Sequence, residues 1–177
     1  MKRTITIILS LLMLFILCSC TKKAPSPNEK VPTEPEKQIE ISLYYANEKY
    51  IETGDEKLER FVVVKKQIPI ENNNAVLSIL NELKKDPDIE NATTNIPSAI
   101  KFLNAKLENK TAYVDLSSEN LSGGSLQEFF VIYQIVYSLT SLENIDEVQF
   151  LVDGKKEETL MGHFLIDQPL KNNLNTQ

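Results

Sequence analysis

Residues 123–140 read GGSLQEFFVIYQIVYSLT and contain the best-marked helix of the chain. The two glycines interrupt regular structure, and Ser125 followed by Glu128 matches a capping box ahead of an apolar run. A helix is therefore predicted over residues 126–140. Its apolar surface is interrupted only by a polar line of Gln127, Gln134 and Ser138. So wide an apolar surface needs cover on more than one side, either as the central core helix or partly through contact with a partner.

The segments around this helix alternate between strand and helix patterns. Apolar residues at every second position indicate a strand over 39–45, and three asparagines at 72–74 supply N-caps for a second helix. The other predicted elements are strands at 61–68 and 148–152, a helix at 76–83, a hairpin at 101–116 and a short strand at 164–166. Interleaved strands and helices predict a single α/β domain of the α+β type. We expect a mixed sheet of four to six strands with two helices packed on one face.

The N-terminus has the layout of a bacterial lipoprotein signal. Lys2 and Arg3 precede an apolar stretch that ends at Leu17, which is shorter than the roughly 20 residues a membrane-spanning helix needs. Residues 17–20, Leu-Cys-Ser-Cys, resemble a lipobox. Residues 1–19 are therefore predicted to be a removable signal peptide. Cys20 is predicted to become the acylated N-terminus, which would anchor the protein to the lipid bilayer.

The rest of the chain divides by composition. Residues 20–38 are interpreted as the lipidated cysteine and a proline-rich tether, since they offer almost no large apolar side chain. Residues 39–171 are predicted to be the folded domain, because that length suffices for one core. Residues 172–177 are interpreted as a polar C-terminal tail. The predicted location is the extracytoplasmic face of the cell membrane.

Charge and cysteine content exclude several classes of function. Removal of residues 1–19 leaves 17 basic against 25 acidic side chains, a net charge of −8. An acidic domain argues against nucleic acid as a partner, because phosphate binding requires clustered lysine and arginine. Cys20 would be the only remaining cysteine, which excludes disulfides and cysteine-ligated metals. No cofactor and no metal site are expected.

Candidate catalytic or binding residues are few. His163 is the only histidine, so a two-histidine metal site is excluded and a Ser-His-Asp arrangement would rest on this residue. Asp115 and Asp153 end predicted strands and could form a carboxylate pair, although turn formation explains both more simply. Two alternatives remain. One is an anion site at Gly123 and Gly124, and the other is a sugar-stacking surface formed by Tyr44, Tyr45 and Tyr50. No catalytic residue is assigned.

Several short segments in a fixed order resemble the GerMN domain associated with sporulation and spore germination. The main ones are Tyr113–Ser117 (YVDLS), the end of the long helix at Ser138–Thr140, and Val148–Gly154 (VQFLVDG). Agreement extends to Leu43–Tyr45, Arg60, Asn95–Pro97, Gly162–His163 and Pro169–Leu170. The resemblance covers residues 39–171.

This resemblance implies a non-enzymatic α/β module on a lipoprotein, similar in shape to the ring-building domains of envelope assemblies. The expected partners are the bilayer, through acylated Cys20, and envelope proteins. Binding of cell-wall glycan or peptide, with peptidoglycan as partner, is the main alternative. A wall hydrolase is the least favoured reading.

Overall fold

The computed structural model describes residues 37–173. The predicted signal peptide, Cys20 and the tether up to residue 36 lie outside the described residues, as do the last four residues of the tail, 174–177. Their assignments therefore remain predictions. None of the helices within residues 37–173 combines the length and the hydrophobicity that a membrane-spanning helix requires.

The described chain contains six strands and three α-helices. In chain order these are β1 (Gln38–Asn47), α1 (Glu48–Thr53), β2 (Phe61–Pro69), α2 (Ala75–Leu83), β3 (Ala92–Thr93), β4 (Phe102–Glu108), β5 (Thr111–Leu116), α3 (Ser125–Leu139) and β6 (Glu147–Val152). A 3₁₀ turn, Glu71–Asn73, precedes α2. The predicted strands at 39–45, 61–68 and 148–152, both long helices and the hairpin are confirmed. The short elements α1 and β3 were not predicted.

Local sequence signals account for most boundaries. Asn74 caps α2, because its side chain accepts a hydrogen bond from the Leu77 amide at 3.0 Å. Asn109 and Lys110, with φ of 49° and 66°, form the left-handed corner of the β4–β5 hairpin. The capping box predicted for α3 is wrong. Gly124 is the N-cap, and it makes no side-chain cap hydrogen bond.

The six strands divide between two sheets of three. The first sheet has the order β2-β1-β3 and is antiparallel, while the second has the order β4-β5-β6, with β5 and β6 parallel. The single mixed sheet expected from the sequence is thus split. The second sheet cannot pair with β1, because the edge of β1 opposite β2 is already occupied. At one end it pairs with β3, and further along it hydrogen-bonds to the hydroxyl groups of Ser138 in α3 and of Ser141 just after it.

The core lies between the sheets and the two long helices. Helices α2 and α3 contact each other, and α3 also packs along β1 and β6. The largest fully buried side chains come from both sheets and both helices, and include Leu43, Ile68, Leu80, Leu116, Phe130 and Phe150. The α+β class and the single folded domain are therefore confirmed.

The segment after β6 is held by side-chain hydrogen bonds and isolated backbone bridges instead of a strand ladder. The predicted strand at 164–166 is wrong, since the segment forms only isolated bridges such as Thr159 with Leu165. Buried Glu128 accepts hydrogen bonds from the amides of Leu160, Met161 and His163, at 2.8 to 3.0 Å. The Glu128 carboxylate therefore binds a distant segment, although the sequence pattern had assigned it to the capping box with Ser125.

Candidate interaction surface

The polar line of α3 faces the first sheet. Ser138 Oγ accepts a 2.8 Å hydrogen bond from the Tyr44 amide, and Ser141 Oγ donates to the Ser42 carbonyl at 3.1 Å. Gln134 Oε1 accepts from the Asn95 amide at 2.9 Å. Gln134 and Ser138 are fully buried and do not face solvent, whereas Gln127, the third residue of the polar line, is partly exposed.

Most of the apolar surface of α3 belongs to the core. Its buried apolar residues are Phe130, Val131, Ile132, Ile135, Val136, Tyr137 and Leu139. A narrower strip of Leu126, Phe129 and Tyr133 reaches the surface, with Leu126 45% exposed. The helix therefore serves mainly as the central core helix and leaves one aromatic strip beside the first sheet.

This strip and the outer face of the first sheet form a groove, called the aromatic groove below. It has a volume of about 480 Å³ and is lined by Tyr44, Leu58, Phe61, Val63, Phe129, Tyr133 and Tyr137, with Glu56, Lys57, Glu59, Arg60 and Asn173 around them. Neighbouring rings make edge or tilted contacts, with centroids 4.8 to 6.4 Å apart. Edge-to-face contacts at these distances are among the arrangements that aromatic pairs favour.

Strand register explains why these residues meet. Tyr44 lies opposite Val63 and Ala46 opposite Phe61, so Tyr44, Val63 and Phe61 share one face of the sheet. Tyr45 points to the other face, where its hydroxyl donates to the Glu82 carbonyl at 3.3 Å. The three tyrosines do not form a stacking surface, for which core and edge packing was the favoured alternative, because Tyr45 is buried in the core and Tyr50 contacts Phe130.

Arg60 stands at the end of the groove. Its guanidinium lies 5.4 Å from the centroid of the Phe129 ring and 5.7 Å from that of Tyr50. Over residues 37–173, Arg60 forms no ion pair with an acidic side chain. Ring contacts orient the group while its donors stay available. Aromatic residues and arginine are enriched in protein interfaces and at their energetic hot spots.

Three groups around the first sheet have shifted pKa values, namely Tyr45, Tyr137 and Glu82. Burial raises the pKa of Tyr45 to about 12, with further contributions from the charges of Glu82 and Asp86. Burial likewise raises the pKa of Tyr137. Beneath the sheet, burial alone would raise the pKa of Glu82, but hydrogen bonds from Lys66 and Lys85 outweigh it and lower the pKa.

The candidate carboxylate pair has a structural role. Asp115 Oδ1 accepts from the Gly154 amide at 2.9 Å, and Asp153 Oδ1 accepts from the Ser118 amide at 3.2 Å. Hydrogen bonds from the Ser118 side chain, and secondarily from its amide, lower the pKa of Asp153. Each carboxylate thus ties the end of its own strand to the turn after the neighbouring one. Both carboxylates therefore stabilise turns, which was the simpler of the two sequence interpretations.

The other candidate residues are not brought together into a site. His163 is exposed, and its Nε2 lies 3.3 Å from the Gly123 carbonyl oxygen. Gly124 serves as the backbone N-cap of α3. No cluster of three or more metal-ligating side chains occurs between residues 37 and 173.

Sequence patterns identified this surface only in part. The wide apolar surface of the long helix, which includes Phe129, Tyr133 and Tyr137, left contact with a partner open, whereas Phe61 was read only as part of a strand and Arg60 was noted only in the family resemblance. A usable signal was the aromatic spacing at 129, 133 and 137, which places three rings along one side of a helix.

Comparison with solved structures finds the same fold in proteins from two bacteria. The chain resembles a candidate lipoprotein from Clostridium perfringens (TM-score 0.51, 18% identity), over 81% of this chain and 93% of that one. It also resembles the first GerMN domain of the sporulation protein GerM from Bacillus subtilis (TM-score 0.58, 18% identity), over 76% and 98% of the two chains.

The tandem GerMN domains of the same Bacillus subtilis protein match with a TM-score of 0.56 and 20% identity. That match covers 82% of this chain but 49% of the tandem, so the chain spans about half the length of the two-domain protein. Comparison with curated protein sequences gives no match. The profile of the Germane family, described as sporulation and spore germination, matches residues 42–158. This covers well over half of the chain and confirms the resemblance to the GerMN domain: the chain belongs to the Germane family.

Proposed function

We propose that this protein is a lipid-anchored module that binds envelope protein partners on the outer face of the cytoplasmic membrane, in sporulation or spore germination, and that it has no catalytic activity. Family membership supports the cellular process, and the likeness to a candidate lipoprotein agrees with the lipobox at Cys20. The single observation that carries the proposal is the aromatic groove. Its partly exposed rings, and an oriented arginine that forms no ion pair within residues 37–173, are the features of a protein-binding surface.

Crosslinking in intact cells tests this proposal. The tagged chain and a Cys20→Ala variant are compared during growth and under starvation, together with a Tyr133→Ser variant whose groove is altered. Tyr113→Ser is the matched control, because Tyr113 is also partly exposed but lies on β5, where Lys106 covers its ring. We expect one envelope protein to be captured by the wild type and by Tyr113→Ser, and to be lost from the other two variants. Equal capture by all four chains would contradict the proposal.

A wall-binding module is the second candidate, and a specific observation favours it. Tyr44 and Tyr133 present partly exposed rings with hydroxyl groups in one groove, an arrangement that can stack on sugar rings. Sedimentation with purified peptidoglycan separates this candidate from the first. Cosedimentation that Tyr133→Ser abolishes and Tyr113→Ser preserves would favour the wall ligand. A wall hydrolase would produce a clearing band in zymography, and we expect none.

A further inference from the structure

The first sheet ends in a strand whose outer backbone groups are unused. Asn47 N bonds Arg60 O at 2.9 Å and Ile70 N bonds Lys37 O at 2.7 Å, at the two ends of the β1–β2 pairing. Hydrogen-bonded pairs recur at every second position of an antiparallel ladder. The residues of β2 that bond β1 are therefore Val62, Val64, Lys66 and Ile68. The alternate residues Phe61, Val63, Lys65 and Gln67 direct their amides and carbonyls outward.

Nothing in the described domain uses this outward row, which is called the open edge below. β2 is the terminal strand of its sheet, and across residues 37–173 no backbone or side-chain group hydrogen-bonds to the outward amides and carbonyls. Val63, at the middle of the row, is 49% exposed. A long edge strand with free backbone groups is a template for the addition of another strand.

The open edge and the aromatic groove are continuous. Phe61 and Val63 contribute backbone groups to the edge and side chains to the groove. A segment that pairs with β2 would place every second side chain on the groove face, beside these two residues. Apolar side chains at those positions would cover surface that is now exposed to water.

The charges along β2 indicate which polar side chains an added segment would carry. Lys65 lies on the outward row, Arg60 precedes the strand, and neither forms an ion pair within residues 37–173. No acidic residue occurs between residues 61 and 69, and Lys66, on the other face, is already paired with Glu82. This local basic character stands out in a chain of net charge −6. It also disfavours a second copy of the chain, because antiparallel pairing of two β2 strands centred on Val63 would place Lys66 opposite Arg60.

We propose that the open edge of β2 binds an extended segment of a partner protein, with alternating apolar and acidic side chains, by β-strand addition. The inference rests on the proposed function, since it names the binding mode and partner chemistry of the same surface. The backbone ladder would supply affinity, and Phe61, Val63 and Lys65 would select the sequence.

Amide hydrogen exchange tests the proposal on the processed protein in detergent. The probe is a short peptide of alternating valine and glutamate, and its valine–lysine counterpart is the peptide control. We expect the acidic peptide to protect the amides of Phe61, Val63, Lys65 and Gln67, and the basic peptide to leave them unprotected. Failure of the acidic peptide to protect these amides, or equal protection by both peptides, would overturn the proposal.

Two variants with a matched control extend the test. Val63→Pro removes an outward amide and should weaken peptide binding about tenfold or more. Lys65→Glu should weaken it roughly threefold to tenfold, whereas Lys156→Glu, an exposed lysine after β6, should change it less than about twofold. Equal effects of the two charge reversals would overturn the proposal.

The outcomes also separate this inference from the proposed function. If the open-edge amides stay unprotected while crosslinking still captures a specific envelope protein, strand addition is wrong and the interaction module stands. If the same amides become protected with rising protein concentration and no peptide, a second copy occupies the edge and the acidic-partner proposal is wrong.

Discussion

The backbone groups on the two sides of the β1–β2 pair differ in their hydrogen bonding. On β1, Ser138 accepts from the Tyr44 amide and Ser141 donates to the Ser42 carbonyl, so side chains complete the backbone hydrogen bonding. On β2, the groups that face outward at the opposite positions have no such partner in residues 37–173. Buried backbone groups must be paired, whereas exposed ones are solvated at little cost. The sealed edge is therefore a requirement of the core, and the open edge is free to bind.

Proline substitution at adjacent residues of β2 should give the largest contrast. Val62→Pro removes an amide that bonds β1 and should lower the free energy of unfolding by about 3 kcal/mol or more. Val63→Pro removes an outward amide and should cost less than about 1 kcal/mol, because proline is tolerated where the missing donor faces solvent. Urea denaturation of the two variants measures both values. Equal destabilisation would mean that the outward amide of Val63 is paired and that the edge is not open.

The next effect concerns the serine that seals β1. Ser138→Ala leaves the buried Tyr44 amide without an acceptor and should cost about 1–3 kcal/mol in the free energy of unfolding. Ser125→Ala is the control, since Ser125 is an exposed residue at the start of the same helix. If Ser125→Ala proved as costly as Ser138→Ala, the capping box would be real and the account of α3 wrong.

A smaller effect is expected in the pH dependence of folding stability, which should differ between variants of Lys65 and Lys66. The pKa of Glu82 is lower in the folded protein than its ordinary value, so its contribution to stability is present above the ordinary carboxyl pKa of about 4.3 and is lost as the pH falls. Lys66→Ala removes one of the two lysines that lower this pKa and should reduce the loss of stability on acidification. Lys65→Ala should leave it unchanged. Urea denaturation at several pH values measures the difference, and identical profiles for Lys66→Ala and the wild type would contradict the assignment.

Local sequence patterns predicted the elements better than their assembly. The cap at Asn74 and the corner at Asn109–Lys110 depend on neighbouring residues, and both could be read directly. Glu128 misled the prediction, since its spacing from Ser125 is that of a capping box while its carboxylate binds a segment more than thirty residues away.

The split of the strands into two sheets and the aromatic groove could not be read from the sequence for the same reason. Both depend on pairing between distant parts of the chain. Phe61 enters the groove only because the register places it opposite Ala46, and the edge of β1 is closed only because α3 brings Ser138 to it. The sequence around Phe61 and Ser138 contains no local pattern that predicts either contact.

Amide hydrogen exchange of the free protein is the most direct test of the contrast between the two edges. If the account is right, the amides of Val63, Lys65 and Gln67 exchange fast, while those of Val62 and Val64 on the same strand, and of Tyr44 on the sealed edge, exchange slowly. Slow exchange at Val63, Lys65 and Gln67, equal to that of their neighbours, would show that the outer edge of β2 is already covered and would contradict the account.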